Sequence, residues 1–557
     1  MNATKRMLVP IAALVLLLAL APLAAAPPAF TPTAVKQALV RRSAETITAA
    51  ELRDYLTFVA SDEMEGRATP SRGLDTTAKF LATMLSRAGV KPAGDEGSYF
   101  QKIVLKKDRI APDGTEVELA GRKFAFGKDF IARPPAASVS GAMVFAGDGW
   151  FIKSKNMDAY QEHDPKGKIV ILTQAGLPRG MTFDELMKMK RGEDWEEPMA
   201  YAQKKGAVGV ITLNPLLTQA NPDAMDRLRR SAESGMFYPE KLPPMGGSRL
   251  PSITANLSLA SAIFAGEKIS VRTIMMSFPE GTPVKPFALA PDKQIRFTIK
   301  TTTESVASQN VVAVVEGSDP ALKAEYVALG AHYDHSGTGA PVNNDSIRNG
   351  ADDDGTGTVA LLAIAEALVQ APRRPKRSAL FVWHMGEEMG LWGSQYFTTF
   401  PTVPIDKIVA QLNIDMIGRS RADGDTNPRN KDLSGPNELY VIGSKMMSTE
   451  LGELSEAVNN AYLKLSFNYK YDDPKDPEQF FYRSDHIHYA RKNIPIIFYF
   501  TGVHADYHQP GDEVSKIDFP KFEKVTRTIY ATLWEIAEMK ARLKVDKELP
   551  AAARQLF

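Results

Sequence analysis

Hydrophobic positions follow a helical period at the start of the chain. Thr48-Ala49-Ala50-Glu51 has the spacing of a helix capping box, and Leu52, Tyr55, Leu56 and Val59 follow at helical intervals, so a helix starts here. A turn rich in Gly, Pro and Ser over residues 66–73 leads to Phe80, Leu81, Met84 and Leu85 at the same period, stopped by Gly89 and Pro92. From about 301 to 539 the pattern changes. Near-continuous apolar runs at 311–315, 326–329, 380–383, 408–412, 439–442 and 494–500 alternate with helical patterns at 359–369, 451–463 and 522–539. Runs apolar on both sides belong to strands buried on both faces, so the expected fold is α/β: a mostly parallel sheet covered by helices on both faces. The two early helices are expected to cover that sheet. Polar, aperiodic stretches at 336–348 and 419–436 are expected to be long loops near a site.

Between about 136 and 284 the texture turns to short β-rich runs, at 142–145, 168–172, 208–213 and 253–256, which indicates an inserted unit. Within it, Gly167-Lys168-Ile169-Val170-Ile171-Leu172, a helical Met199-Ala200-Tyr201-Ala202-Gln203 and Gly206-Ala207-Val208-Gly209-Val210-Ile211 resemble the protease-associated domain. The expected organisation is a signal segment (1–26), a discontinuous main domain (40–135 and 285–545) and the insertion (136–284).

Length and charge narrow the possibilities. The 557 residues are 44% hydrophobic, enough for more than one core, and 67 basic side chains balance 66 acidic ones. No strong field favours nucleic acid. Lys5 and Arg6 precede an apolar run over 7–20 and Ala24-Ala25-Ala26, the layout of a secretory signal, so the chain is expected to be exported, periplasmic or secreted. That run is shorter than the ~20 residues of a usual membrane span, so no stable membrane insertion is expected once it is removed. Loss of Lys5 and Arg6 leaves 65 basic against 66 acidic side chains. With no cysteine, disulfides and thiolate chemistry are excluded, and any metal must be held by His, Asp and Glu.

Those residues gather at strand ends. Of the eight histidines, seven lie between 332 and 508. His332 follows the run at 326–329, Glu387 and Glu388 follow 380–383, Asp415 follows 408–412, and His508 follows 494–500. Ligands of open parallel sheets bind beyond the carboxyl ends of the strands, so these side chains are expected to converge. Gly350-Ala351-Asp352-Asp353-Asp354-Gly355 adds three crowded carboxylates, which repel one another unless solvated or met by cations. In His332-Tyr333-Asp334, extended spacing puts Asp334 where it can orient the His332 imidazole. His335, His384, His486, His488 and His504 read as packing or supporting groups.

Taken together, several blocks resemble the co-catalytic di-zinc aminopeptidases, whose relatives include glutamate carboxypeptidase and the transferrin receptor. They are Gly330-Ala331-His332-Tyr333-Asp334, Asn349-Gly350-Ala351-Asp352-Asp353-Asp354-Gly355-Thr356-Gly357 and Gly386-Glu387-Glu388-Met389-Gly390-Leu391-Trp392-Gly393-Ser394. Asn413-Ile414-Asp415-Met416, Arg483-Ser484-Asp485-His486 and Asp506-Tyr507-His508 complete the set, and the Glu65-Gly66-Arg67 turn fits the same pattern. The resemblance implies two zinc ions bridged by Asp353, one with Glu388 and His508 and the other with His332 and Asp415; manganese or cobalt would suit the same donors. It implies that Glu387 moves the proton of the attacking water, that Asp334 orients His332, and that Tyr507 and Arg483 help to stabilise the oxyanion. Residue chemistry alone does not separate Glu387 from Glu388. The implied activity is an exopeptidase acting on peptides, foremost an aminopeptidase. A carboxypeptidase, a glutaminyl cyclase-like enzyme and a non-catalytic receptor on the same fold are the alternatives. Oligomeric state is not readable from one chain.

Overall fold

The computed structural model describes residues 30–550 and 553, apart from 174–175, 183–184, 187, 215–221, 244–247, 249 and 278–282. The expected signal segment, 1–26, lies outside the described residues.

The chain builds two large sheets. The first has ten strands, in the order Met236–Pro239, Phe100–Ile110, Thr301–Val315, Ser378–His384, Tyr326–His332, Ile408–Ile414, Ile496–Phe500, Glu438–Ile442 and Ser466–Asn468, with Lys91–Pro92 added alongside Thr301–Val315. Its four middle strands, Ser378–His384 to Ile496–Phe500, are parallel. Both flanks bring in antiparallel pairs. The sheet is therefore mixed, which corrects the mostly parallel expectation. Apolar runs report burial on both faces and carry no information on strand direction.

Alternate side chains of the middle strands enter two different cores. Val327, Leu329, Ala331, Phe381, Trp383, Leu412 and Tyr499 pack on one face against helices Ala49–Val59, Arg72–Ala88, Gly357–Gln370 and Phe519–Glu538. Ala328, Leu380, Val382, Ile496, Phe498 and Phe500 point the other way, toward Phe397, Ile487 and Tyr489. Each such side chain removed from water contributes about 1.5–3 kcal/mol, which is why the runs are apolar throughout. The early helices form as their signals predict. Thr48 accepts the Glu51 N–H at 3.2 Å, Ser71 accepts that of Leu74 at 3.1 Å, and the second helix ends at Gly89, with φ of 78°.

The second sheet has nine strands and its own core around Phe145, Ile171, Ile211, Ile253 and Phe297. The expected limits at 136 and 284 cut across it. Glu116–Leu119, Arg122–Ala125 and Phe130–Arg133 precede the first limit, while Phe287–Ala288 and Gln294–Ile299 follow the second. These strands are short, and Glu116-Val117-Glu118-Leu119 alternates charge with apolar character, so the texture does not change where the sheet begins. A long antiparallel ribbon joins the units, paired from Thr301↔Ile110 to Val311↔Phe100, with Met236–Pro239 added along its edge. The stretch at 336–348, expected to be a loop, contains the exposed hairpin Thr338–Val342 with Asp345–Ile347.

Candidate metal centre

The four parallel strands end at one level, with His332 beside His384, Gly330 beside Asn413 and Ile414 beside Tyr499. Every loop leaving those ends therefore meets at one rim of the sheet. His332 is the last residue of its strand, Asp415 the first after its own, Glu387 and Glu388 follow shortly after His384, and His508 lies further along the loop that leaves Phe500.

The acidic run is sorted by hydrogen bonding. Asp352 Oδ1 accepts the Gly418 N–H at 2.7 Å, and Asp354 Oδ1 accepts those of Gly357 at 2.9 Å and Met416 at 3.2 Å. Asp512 Oδ2 accepts the backbone N–H groups of Asp352 and Asp353, each at 3.0 Å. Asp352 Oδ2 faces His504 Nε2 at 3.3 Å, and Asp353 is the one of the three left to face His332, His335 and His508. Its Oδ1 lies 3.3 Å from His332 Nε2, and its Oδ2 lies 3.2 Å from His508 Nε2 and 3.7 Å from His335 Nδ1. Asp415 Oδ1 is 3.7 Å from His332 Nε2, and Glu388 Oε2 is 3.2 Å from His508 Nε2. Two clusters of possible ligand atoms thus share Asp353: His332, Asp353 and Asp415, then His335, Asp353 and Glu388, with atoms in each within 4.8 Å of one another. Asp353 Oδ2 is buried and has no hydrogen-bond partner, a condition a cation relieves. Nitrogen and oxygen donors without sulfur suit zinc, and also manganese or cobalt.

The electrostatics say the same thing in protons. Burial works against charge on His332 and His508, yet the surrounding carboxylates outweigh it, holding His332 well above its ordinary value and His508 at about 10. Cations are favoured here, and metal binding would displace those protons. The adjacent acids are driven apart. Burial and the charge of Asp353 would raise Glu388, but His335 and His508 prevail and hold it at about 2. Glu387 is pushed well above the carboxylate range by burial, reinforced by Asp415 and Glu388 and opposed by His332.

The supporting groups differ in detail from expectation. His332 Nδ1 meets the backbone carbonyl of Asp334 at 3.1 Å, whereas the Asp334 carboxylate is 3.8 Å away. That carboxylate instead accepts the Glu387 N–H and the Thr69 hydroxyl, both at 3.1 Å. Asp334 positions the Glu387 turn as much as the imidazole. Tyr507 stacks on the His508 ring, with centroids 3.8 Å apart. Arg483 is exposed over the Phe480 ring, and Asp485 lies against His384 Nδ1, at 3.2 Å. A cleft opens over His332, Asp353, Glu387 and Asp415, walled by Met416, Phe480, Phe498, Phe500 and Val503, with Arg483 and Tyr507 among its lining.

Residues 310–533, which carry this rim, match the model of Peptidase family M28. Over that stretch the chain is similar to Peptidase family M28. It is similar to Leucine aminopeptidase 2 of Trichophyton equinum, 25% identical over 304 residues that make up 50% of this chain and 55% of that protein. It is also similar to a probable zinc metalloprotease of Pyrenophora teres f. teres, 26% identical over 373 residues, 63% of this chain and 72% of that one. The chain spans about half the length of the leucine aminopeptidases it matches. Among solved structures, the aminopeptidase from Aneurinibacillus sp. strain AM-1 aligns over 91% of this chain and 98% of its own, with 15% identity and a TM-score of 0.47.

Sequence reasoning assigned no ligand or catalytic role to three residues at this rim. Ser484 donates to Asp415 Oδ2 at 2.7 Å and accepts from Asn413 at 2.8 Å, tying two of the recognised blocks together. Arg67, fully buried, donates to the carbonyls of Val59, Tyr333, Asn349 and Gly350. His335 was read as a supporting loop residue; its Nδ1 sits 2.7 Å from Glu388 Oε1. The available signal was its place three residues beyond His332 in the same block.

Proposed function

We propose that this chain is an exported zinc-dependent exopeptidase, most directly an aminopeptidase that hydrolyses N-terminal peptide bonds. The observation that carries the reading is the meeting of His332, Asp353, Glu388, Asp415 and His508 at one rim, with the Asp353 carboxylate between the two imidazoles at 3.3 and 3.2 Å. In this reading Asp353 would serve both of two ions, with His332 and Asp415 holding one and Glu388 and His508 the other. When bound, such a pair lowers the pKa of a water and offsets the negative charge that develops on the substrate oxygen.

The chain's own groups do the rest. Glu387 borders the cleft and lies outside both clusters, and its raised proton affinity suits a base that takes a proton from water and returns it to the leaving amine. The Tyr507 hydroxyl and Arg483 guanidinium stand at the cleft as donors for the developing oxyanion. Phe480, Phe498, Phe500 and Val503 offer an apolar wall to the terminal side chain and exclude water from it.

Carboxyl-terminal trimming is the second reading. Arg483 has no carboxylate partner among the described residues and could meet a free substrate carboxylate instead. A panel of free, amino-blocked and carboxyl-blocked peptides, followed by mass spectrometry with and without chelator, separates the two. Aminopeptidase action predicts loss of N-terminal residues from free and carboxyl-blocked peptides only, abolished by chelator. Cleavage confined to peptides with a free carboxyl end would favour the second reading, and inertness toward all of them would overturn both.

Export is supported by the charged and apolar layout of residues 1–26, and no helix among the described residues is long and apolar enough to cross a membrane. The second sheet's resemblance to a protease-associated domain rests on its sequence blocks, and its strands run from Glu116–Leu119 to Gln294–Ile299.

A further inference from the structure

His335 is a buried histidine, close to the carboxylates of the centre, to which the reading above gives no task. It is 1% exposed, and neither ring nitrogen has a hydrogen-bond partner. Burying a polar atom in that state costs free energy unless a ligand meets it. Nδ1 lies 2.7 Å from Glu388 Oε1, a hydrogen-bonding distance, yet the ring nitrogen is not directed at that oxygen as a hydrogen bond requires. The nearest oxygen of Asp353, at 3.7 Å, is beyond hydrogen-bond reach.

The placement is fixed by the surrounding chain. The His335 N–H donates to the Arg67 carbonyl at 3.2 Å, and Arg67 is itself clamped to the carbonyls of Tyr333, Asn349 and Gly350. The ring packs against Gly350 so closely that a Cβ there would come within 2.6 Å of it. The Glu65-Gly66-Arg67 turn thereby holds the imidazole against the two carboxylates.

We propose that His335 is a fourth side-chain donor, through Nδ1, to the cation held by Asp353, Glu388 and His508. This rests on the metal reading given under Proposed function. The two halves of the centre are then unequal: one draws on His332, Asp353 and Asp415, the other on Asp353, Glu388, His508 and His335. The four-donor half retains its ion longer when chelator is raised, so metal leaves in two steps.

The test uses the full chain loaded with zinc, and separately with cobalt, dialysed against graded chelator and read as metal per chain and as cobalt visible absorption. The wild type is expected to release its ions in two steps. His335→Ala should weaken the tighter step at least tenfold and alter the cobalt spectrum. His335→Gln, which keeps an N–H for Glu388 but is a poor donor to the ion, should behave like His335→Ala, whereas His335→Asp should restore the tighter step. Wild-type release and spectrum in His335→Gln would mean that His335 only hydrogen-bonds Glu388, and would overturn the proposal. If His335→Ala does not fold, the contrast between the Gln and Asp variants decides in the same way. Two ions bound alike by wild type and His335→Ala would overturn this step alone; a wild type that takes up no metal would overturn the metal reading with it.

Discussion

Glu387 and Glu388 are adjacent in sequence and opposite in surroundings. Glu388 sits between His335 and His508, which keep it ionised, while the Glu387 backbone N–H is tied to Asp334 and its side chain borders the cleft. Glu387→Gln should therefore lower kcat by about 10²–10⁴-fold, the usual scale for loss of a general base, with metal content unchanged by elemental analysis. Wild-type turnover in that variant would remove Glu387 from the proton-transfer role. Asp353→Ala, by contrast, takes away the carboxylate shared by both clusters and should empty the centre of both ions under the same measurement. Residue types alone did not separate these roles. Asp352, Asp353 and Asp354 are chemically identical, and the N–H groups of Gly418, Gly357 and Met416, with His504 and the Thr356 hydroxyl at Asp352, distinguish which carboxylate is left for the cleft.

Helices and strands were legible where one face or both had to leave water. The capping box at Thr48 and the glycine stop at Gly89 appear where the pattern puts them, and the apolar runs at 326–329, 380–383 and 408–412 lie within strands that extend to His332, His384 and Ile414. What the pattern lacked was partner and direction, hence the antiparallel flanks and the hairpin Thr338–Val342 with Asp345–Ile347. One contact between helices carries a pH signature. Glu51 of Ala49–Val59 faces Glu366 of Gly357–Gln370, whose Oε2 accepts the Tyr55 hydroxyl at 2.8 Å. Burial, followed by the charge of Glu366, raises Glu51 from 4.5 to about 7. The fold binds this proton more tightly than the unfolded chain does, so its stabilising effect is full below about pH 4.5 and is lost as pH rises through about 7. Urea midpoints of the wild type should fall between pH 5 and pH 8, and Glu51→Gln should flatten that part of the profile. An unchanged slope in the variant would assign the pH dependence elsewhere.

At the scale of the whole molecule, two sheets with separate cores are joined by the ribbon of 100–110 and 301–311. A ligand bound by one folded unit stabilises that unit by mass action and leaves an independent neighbour unmoved. Calorimetry of the zinc-loaded chain should accordingly show two transitions, of which chelator lowers only one. A single transition that shifts as a whole would show that ribbon and edge strand couple the units. The sequence by itself determined the α/β character, the helical cover and the placement of histidine and carboxylate after apolar runs, because periodicity records which positions must leave water. Only the tertiary structure decided strand direction, the extent of the second sheet, the hydrogen bonds that occupy Asp352 and Asp354, and the approach of His335 to Glu388. Each of those depends on which distant segments meet, and residues such as Arg67 and Gly418 act through backbone groups that no side-chain pattern reports.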